Sequence, residues 1–356
     1  MSPVLALHDA LVRFPSLSTH ERAIADYVEA HARAAGLGVG RHEDNVWMSL
    51  GDGPDLLLLA SHLDVVPPSS AHPHGPFVPT TVDGRIYGRG AVDAKASGAA
   101  MVQALLDLHR GGFRPPGGRL MVALTACEET GGPYNGLEAL RPTLPPVAAA
   151  IIGEPTELRP CLAQKGLLIL TATARGRTAH AARAHLGQNA LTVAARDLLR
   201  IDAFAFERAD ALLGSPTVTA TVIAGGSAKN VVPDTCTVTL DVRSTPAYTH
   251  PELTAVLSDA LESDVAVYSE RLVPCATASD ARIAQATRAA LRGLGLDDTP
   301  FGSPTASDWV FLTDVPAVKL GPGRSELSHT PDEHVEAAEV ERAVDVYAAI
   351  ATAYFA

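Results

Sequence analysis

Thiols are scarce in this sequence and widely scattered. Its four cysteines, Cys127, Cys161, Cys236 and Cys275, form no C-x-x-C pair, which argues against both a disulfide-stapled scaffold and a thiolate zinc site. Positive charge is also in deficit, with 28 Lys and Arg against 40 Asp and Glu and a formal net charge of -12. Nucleic acids and anionic membranes require clustered cations, so neither is expected as a partner. No apolar run reaches the roughly 18 residues of a membrane span. The opening "MSPVLALHDALVRFPS" lacks the basic-then-apolar order of a secretory signal. A cytoplasmic enzyme is the expectation. The rest is ordinary for a globular protein, 47% hydrophobic and 19% charged, and 356 residues suffice for two domains.

Apolar spacing predicts helices within residues 3–36, with Ser18-Thr19-His20-Glu21 offering an N-cap for the second, and another helix over 93–110 stopped by Gly111-Gly112. Strands are expected at 47–50, 55–61, 119–125 and 148–153. Their alternation with helices predicts an α/β domain with a largely parallel central sheet flanked by helices. Near Lys165 the pattern changes. A strand at 166–176, a helix at 189–200, strands at 217–226 and 235–244, a helix at 251–263 and a strand at 265–272 spell the β-α-β-β-α-β order of a ferredoxin-like α+β unit. Residues 1–164 and 274–356 therefore read as one discontinuous domain, with 165–273 inserted into it.

The apolar run "LLLASHLDVVP" closes on His62 and Asp64, two positions apart and so on one face of a strand. A solvated ion pair at a strand end is one reading. A metal-ligating imidazole oriented by a carboxylate is the other. Further polar residues recur at such ends: Asp93 after the glycine-rich "GRIYGRG", Glu128 and Glu129 in "TACEETGG", and Glu154 in "IIGEPTE". His329 lies in the late loop "GPGRSELSHTPDEH". A dinucleotide loop at Gly88-Arg89-Gly90 lacks its third glycine at the required spacing. Ligands of parallel α/β sheets gather at the carboxyl ends of strands. Four carboxylates converging there need compensating positive charge, which a pair of divalent cations supplies. A His and carboxylate set without Cys suits zinc or a similar metal.

The ordered motifs H-x-D, G-x-D-x-K, E-E, G-E-P-T and H-T-P-D-E resemble the dinuclear-zinc amidohydrolase family of acetylornithine deacetylase, succinyl-diaminopimelate desuccinylase, aminoacylase and carboxypeptidase G. The resemblance covers nearly the whole chain. It implies two Zn2+, with Co2+ or Mn2+ as alternatives in one position. His62 and Glu154 would hold one, Glu129 and His329 the other, Asp93 would bridge, and Asp64 would orient His62. Glu128 would be the catalytic base. His180, in "GRTAHAARAHLGQNA", would stabilise the oxyanion across a homodimer interface formed by the inserted dimerisation (lid) domain; His185 is expected at the surface. Asn230, Arg243, Thr305 and Gly323 are the implied substrate contacts, with a solvated strand end as the alternative for Arg243. Where the family often has Gly-Gly-Thr or Gly-Gly-Ala, this chain has Ser303-Pro304-Thr305-Ala306, and Pro304 removes a backbone donor. The implied substrate is a small N-acyl amino acid, foremost N-acetylornithine, and hence a place in arginine biosynthesis. A desuccinylase, a dipeptidase or carboxypeptidase, release of lysine or ornithine from a carrier protein, and a catalytically silent binding protein are the competing readings.

Overall fold

The computed structural model describes residues 1–130 and 132–356. The chain divides into two units: Met1–Leu162 with Thr277–Phe301 and Ser307–Ala356, and Ala163–Ala276 with Gly302–Ala306.

In the first unit the sheet runs in the order Gly38–His42, Asn45–Gly51, Gly118–Thr125, Asp55–His62, Val147–Ile152, Ala317–Lys319. The last four pair in parallel, and the first two add antiparallel at one side. The sequence explains the centre. Asp55–His62 carries apolar residues at successive positions, and Leu56, Leu57 and Leu58 are all 0% exposed. A strand covered on both faces belongs in the middle of a parallel sheet. Each such leucine contributes roughly 1.5–3 kcal/mol by its burial. Helix Lys95–Arg110 packs on this strand and on the C-terminal helix Ala337–Phe355, while Arg22–Ala34 covers the antiparallel pair.

The second unit contains Gly166–Arg175, helix Ala190–Asp202, Thr217–Gly225, Thr235–Ser244, helix His250–Ala260 and Asp264–Leu272, in β-α-β-β-α-β order. Its antiparallel sheet is ordered Thr217–Gly225, Thr235–Ser244, Gly166–Arg175, Asp264–Leu272. Burial alternates strictly along Gly166–Arg175, as one covered face requires. Leu168, Leu170, Val238 and Leu240 form that core with Val193 and Leu253 from the helices.

Two expectations need correction, and one small sheet was not expected. Helix Arg22–Ala34 has Glu21 at its cap position and no side-chain cap bond, because Ser18 and Glu21 are engaged elsewhere. The helix expected from residue 93 begins at Lys95. The three-residue strands Thr80–Val82, Arg85–Tyr87 and His334–Glu336 form a separate antiparallel sheet that no periodicity announced. Among the described residues no helix is long and apolar enough to cross a membrane.

Candidate metal centre

Three neighbouring parallel strands deliver the site. His62 is the last residue of its strand, in register with Thr125, and Ala60 is in register with Ile152. Glu128 and Glu129 follow the Thr125 strand and Glu154 follows the Ile152 strand, so all emerge at one edge. Gly153 permits the last step: a Cβ there would lie 2.9 Å from Ser97 Cβ and 3.0 Å from Ser61 Cβ. Asp93 comes from the turn before helix Lys95–Arg110, and its peptide bond to Ala94 is cis.

Around Asp93 the groups converge. Its Oδ1 lies 3.2 Å from His62 Nε2, and its Oδ2 lies 3.6 Å from His329 Nε2. Glu154 Oε1 stands 3.8 Å from His62 Nε2, and His329 Nε2 is 2.9 Å from Glu129. His62, Asp93 and Glu129 each offer a ligand atom within 4.8 Å of the others. Behind them Asp64 is fully buried and ties three segments together. It accepts the backbone N–H of Glu128 and of Glu129, both at 3.0 Å, and the Ser18 hydroxyl at 2.7 Å. Toward His62 it presents both its carbonyl, 3.0 Å from Nδ1, and its carboxylate, 3.5 Å away. The strand ends at His62, so Asp64 reaches the ring from beyond the sheet rather than from the same strand face.

The electrostatics are those of concentrated negative charge. Burial, reinforced by Asp93, pushes the Glu154 carboxyl up to about 8. Burial raises Glu128 well above the usual carboxylate range, with Glu154 adding to it, and burial raises Glu129 despite its contact with His329. The His62 imidazole moves up as well: burial would lower it, but Asp64 and Asp93 prevail. Burial would raise Asp93 as well, but His62 prevails and holds it low; three glutamates and an imidazole displaced upward around it mark a place that favours a cation. The donor set fits divalent metal, which His62, Asp93 and Glu129 could hold with Glu154 and His329 beside them.

The remaining predicted residues have other settings. Gly323 adopts φ +87, and a Cβ would fall 2.2 Å from Val92 Cγ2, so its backbone packing alone demands glycine. His180, Asn230, Arg243 and Thr305 belong to the second unit. There His180 pairs with Val231, and the Asn230 carbonyl accepts the Ala181 N–H at 2.9 Å, which makes His180 and Asn230 neighbours. His180 Nδ1 accepts the Ala182 N–H, so the neutral ring carries its proton on Nε2 as a donor. The Arg243 guanidinium is held by Asp241 at 2.8 and 3.1 Å. Thr305 Oγ1 lies 2.9 Å from Ser303 Oγ, and His185 is exposed.

Sequence reasoning passed over several supporting groups. Glu21 accepts the Cys127 N–H at 3.0 Å. Asp308, pushed up to about 6 by burial, accepts from Thr125 at 3.2 Å and Asn135 at 2.6 Å beneath the Glu128 turn. Arg89 and Glu333 form a buried ion pair beside Asp93. Glu333 carried a signal as the last residue of H-T-P-D-E, and Asp308 lies in the stretch 303–309 that resembles a pocket-lining piece of the family.

Residues 58–353 match the profile of peptidase family M20/M25/M40. A probable carboxypeptidase of Aspergillus terreus is 30% identical over 398 residues, covering 97% of this chain and 85% of that protein. An acetylornithine deacetylase of Klebsiella pneumoniae is 30% identical over 377 residues, covering 94% of each. In fold, the aminopeptidase PepT of Bacillus cereus superposes with a TM-score of 0.83 at 22% identity, covering 99% of this chain and 98% of that one. The chain belongs to peptidase family M20/M25/M40 and is a metal-dependent hydrolase.

Proposed function

We propose that the protein hydrolyses the amide bond of an N-acyl amino acid, with N-acetylornithine as the foremost substrate, using two zinc ions. The observation that carries the reading is the divided use of Asp93, whose two oxygens face different histidines at 3.2 and 3.6 Å. A bound pair of zinc ions supplies Lewis acidity, polarising the carbonyl and lowering the pKa of water toward about 7. Glu128 receives the water proton on its carboxylate and passes it to the leaving nitrogen. Its carboxylate meets no hydrogen-bond donor among the described residues. Asp64 holds the Glu128 backbone and the His62 ring in place. His180 supplies a donor to the oxyanion from Nε2, and Asn230 beside it, with Arg243, Thr305 and Gly323, meets the substrate.

Relatives named carboxypeptidase and acetylornithine deacetylase are equally similar, at 30% identity. Both names imply cleavage of an acyl–nitrogen bond to an amino acid, and this supports the substrate class more firmly than the acyl group. A carboxypeptidase acting on dipeptides is the second reading. The test is amine release from N-acetylornithine, N-succinyl-diaminopimelate and a dipeptide side by side, with and without a chelator. Preference for N-acetylornithine by about a hundredfold, or ~2.7 kcal/mol, is expected, with activity lost to the chelator and restored by zinc. Dipeptide preference would transfer the assignment to the second reading, and chelator-insensitive turnover would defeat both.

The active form we propose is a cytoplasmic homodimer in which each chain's His180 serves the other chain. Two features support it: the unpaired edge strand Thr217–Gly225 exposes Val222 and Ile223 by 59% and 52%, and Leu199 on the adjacent helix is 72% exposed. All four cysteines are free and buried, which suits a reducing compartment. A charge placed on a strand edge opposes pairing. Ile223→Lys should therefore convert a dimer to a monomer in sedimentation. A wild-type protein that sediments as a monomer at micromolar concentration would refute the assembly.

A further inference from the structure

The buried ion pair of Arg89 and Glu333 joins residues 244 positions apart, and both ends of it hold backbone next to the metal ligands. Glu333 Oε1 accepts the N–H of Val92 at 3.2 Å and of Asp93 at 3.3 Å. Arg89 Nη2 donates to the His329 carbonyl at 3.2 Å. The pair thus ties the backbone of the shared carboxylate to the backbone of the late histidine. His329 needs such a tie. It sits in a left-handed conformation with φ 66, its side chain is 50% exposed, and a non-glycine residue holds that backbone only when its surroundings impose it. His62, by contrast, is fixed by its strand and by Asp64.

We propose that Arg89 and Glu333 are positioning residues that set the spacing between Asp93 and His329, and thereby the affinity of the cation position those two share with Glu129. This rests on the two-cation reading of the centre. The pair anchors two of the three ligands at the His329 position but only one at the His62 position. Its loss should therefore weaken the first selectively. Supporting groups of this kind change metal affinity by about 10–100-fold.

The experiment competes zinc-loaded, full-length protein against graded chelator and counts the zinc retained. His329→Ala, which lacks one ligand, identifies the release step that belongs to the His329 position. Glu333→Gln keeps the side-chain shape and an oxygen for the Asp93 N–H, but removes the charge that orients Arg89. Arg89→Met combined with Glu333→Gln removes both charges, leaves no buried charge unpaired, and decides the matter if the single variant does not fold. The expected result is an about 10–100-fold shift of the His329 step, with the other step unchanged and the circular dichroism of the folded protein retained. Unshifted curves, or equal shifts of both steps in folded variants, would overturn the proposal. Wild-type protein that retains fewer than two zinc ions would overturn the two-cation reading, and this inference with it.

Discussion

Replacing Glu128 with glutamine should lower kcat by about 10²–10⁴-fold, or ~2.7–5.4 kcal/mol of transition-state stabilisation, while leaving the bound metal unchanged. The separation of the two effects follows from geometry. Glu128 contributes its backbone N–H to Asp64, and glutamine contributes the same N–H. The ligand cluster of His62, Asp93 and Glu129 does not include it. What is lost is a carboxylate whose proton affinity is raised by burial and by Glu154. Kinetics with metal analysis on the same preparation checks this, and turnover within about threefold of wild type would remove Glu128 from the mechanism.

Asp93→Ala should have the larger effect on metal content. One carboxylate faces both histidines, and its deletion leaves each position with an imidazole and a single glutamate. The variant should retain at most one weakly held cation and lose activity by at least about a thousandfold, ~4 kcal/mol. Glu129→Ala is the informative comparison, since it touches the His329 position and leaves His62, Glu154 and Asp93 together. Metal retention by Asp93→Ala equal to that of Glu129→Ala would show that Asp93 is not shared.

These residues were legible because each sits at a place the sequence marks. The leucine run announces a central strand, and His62 interrupts it; "RLMVALT" ends at Thr125 just before the paired glutamates. The inserted unit was readable from its alternating strands. Arg89 was not, because its partner lies 244 residues away and an isolated arginine between glycines carries no pattern. Asp308 and Asn135 meet only through the fold. Ser18 and Glu21 looked like a helix cap, and residues of that type serve equally as acceptors and donors for a distant loop. Strands of three residues, such as His334–Glu336, are too short to display a period.

The centre draws on residues far apart in the sequence: Ser18 donates to Asp64, while His329 lies 2.9 Å from Glu129. During synthesis, His62, Asp93 and Glu154 leave the ribosome long before His329. The Glu129 corner waits for His329, 200 residues further along the chain. A chain cut before residue 329 would carry His62, Asp93 and Glu154 without the histidine that meets Glu129.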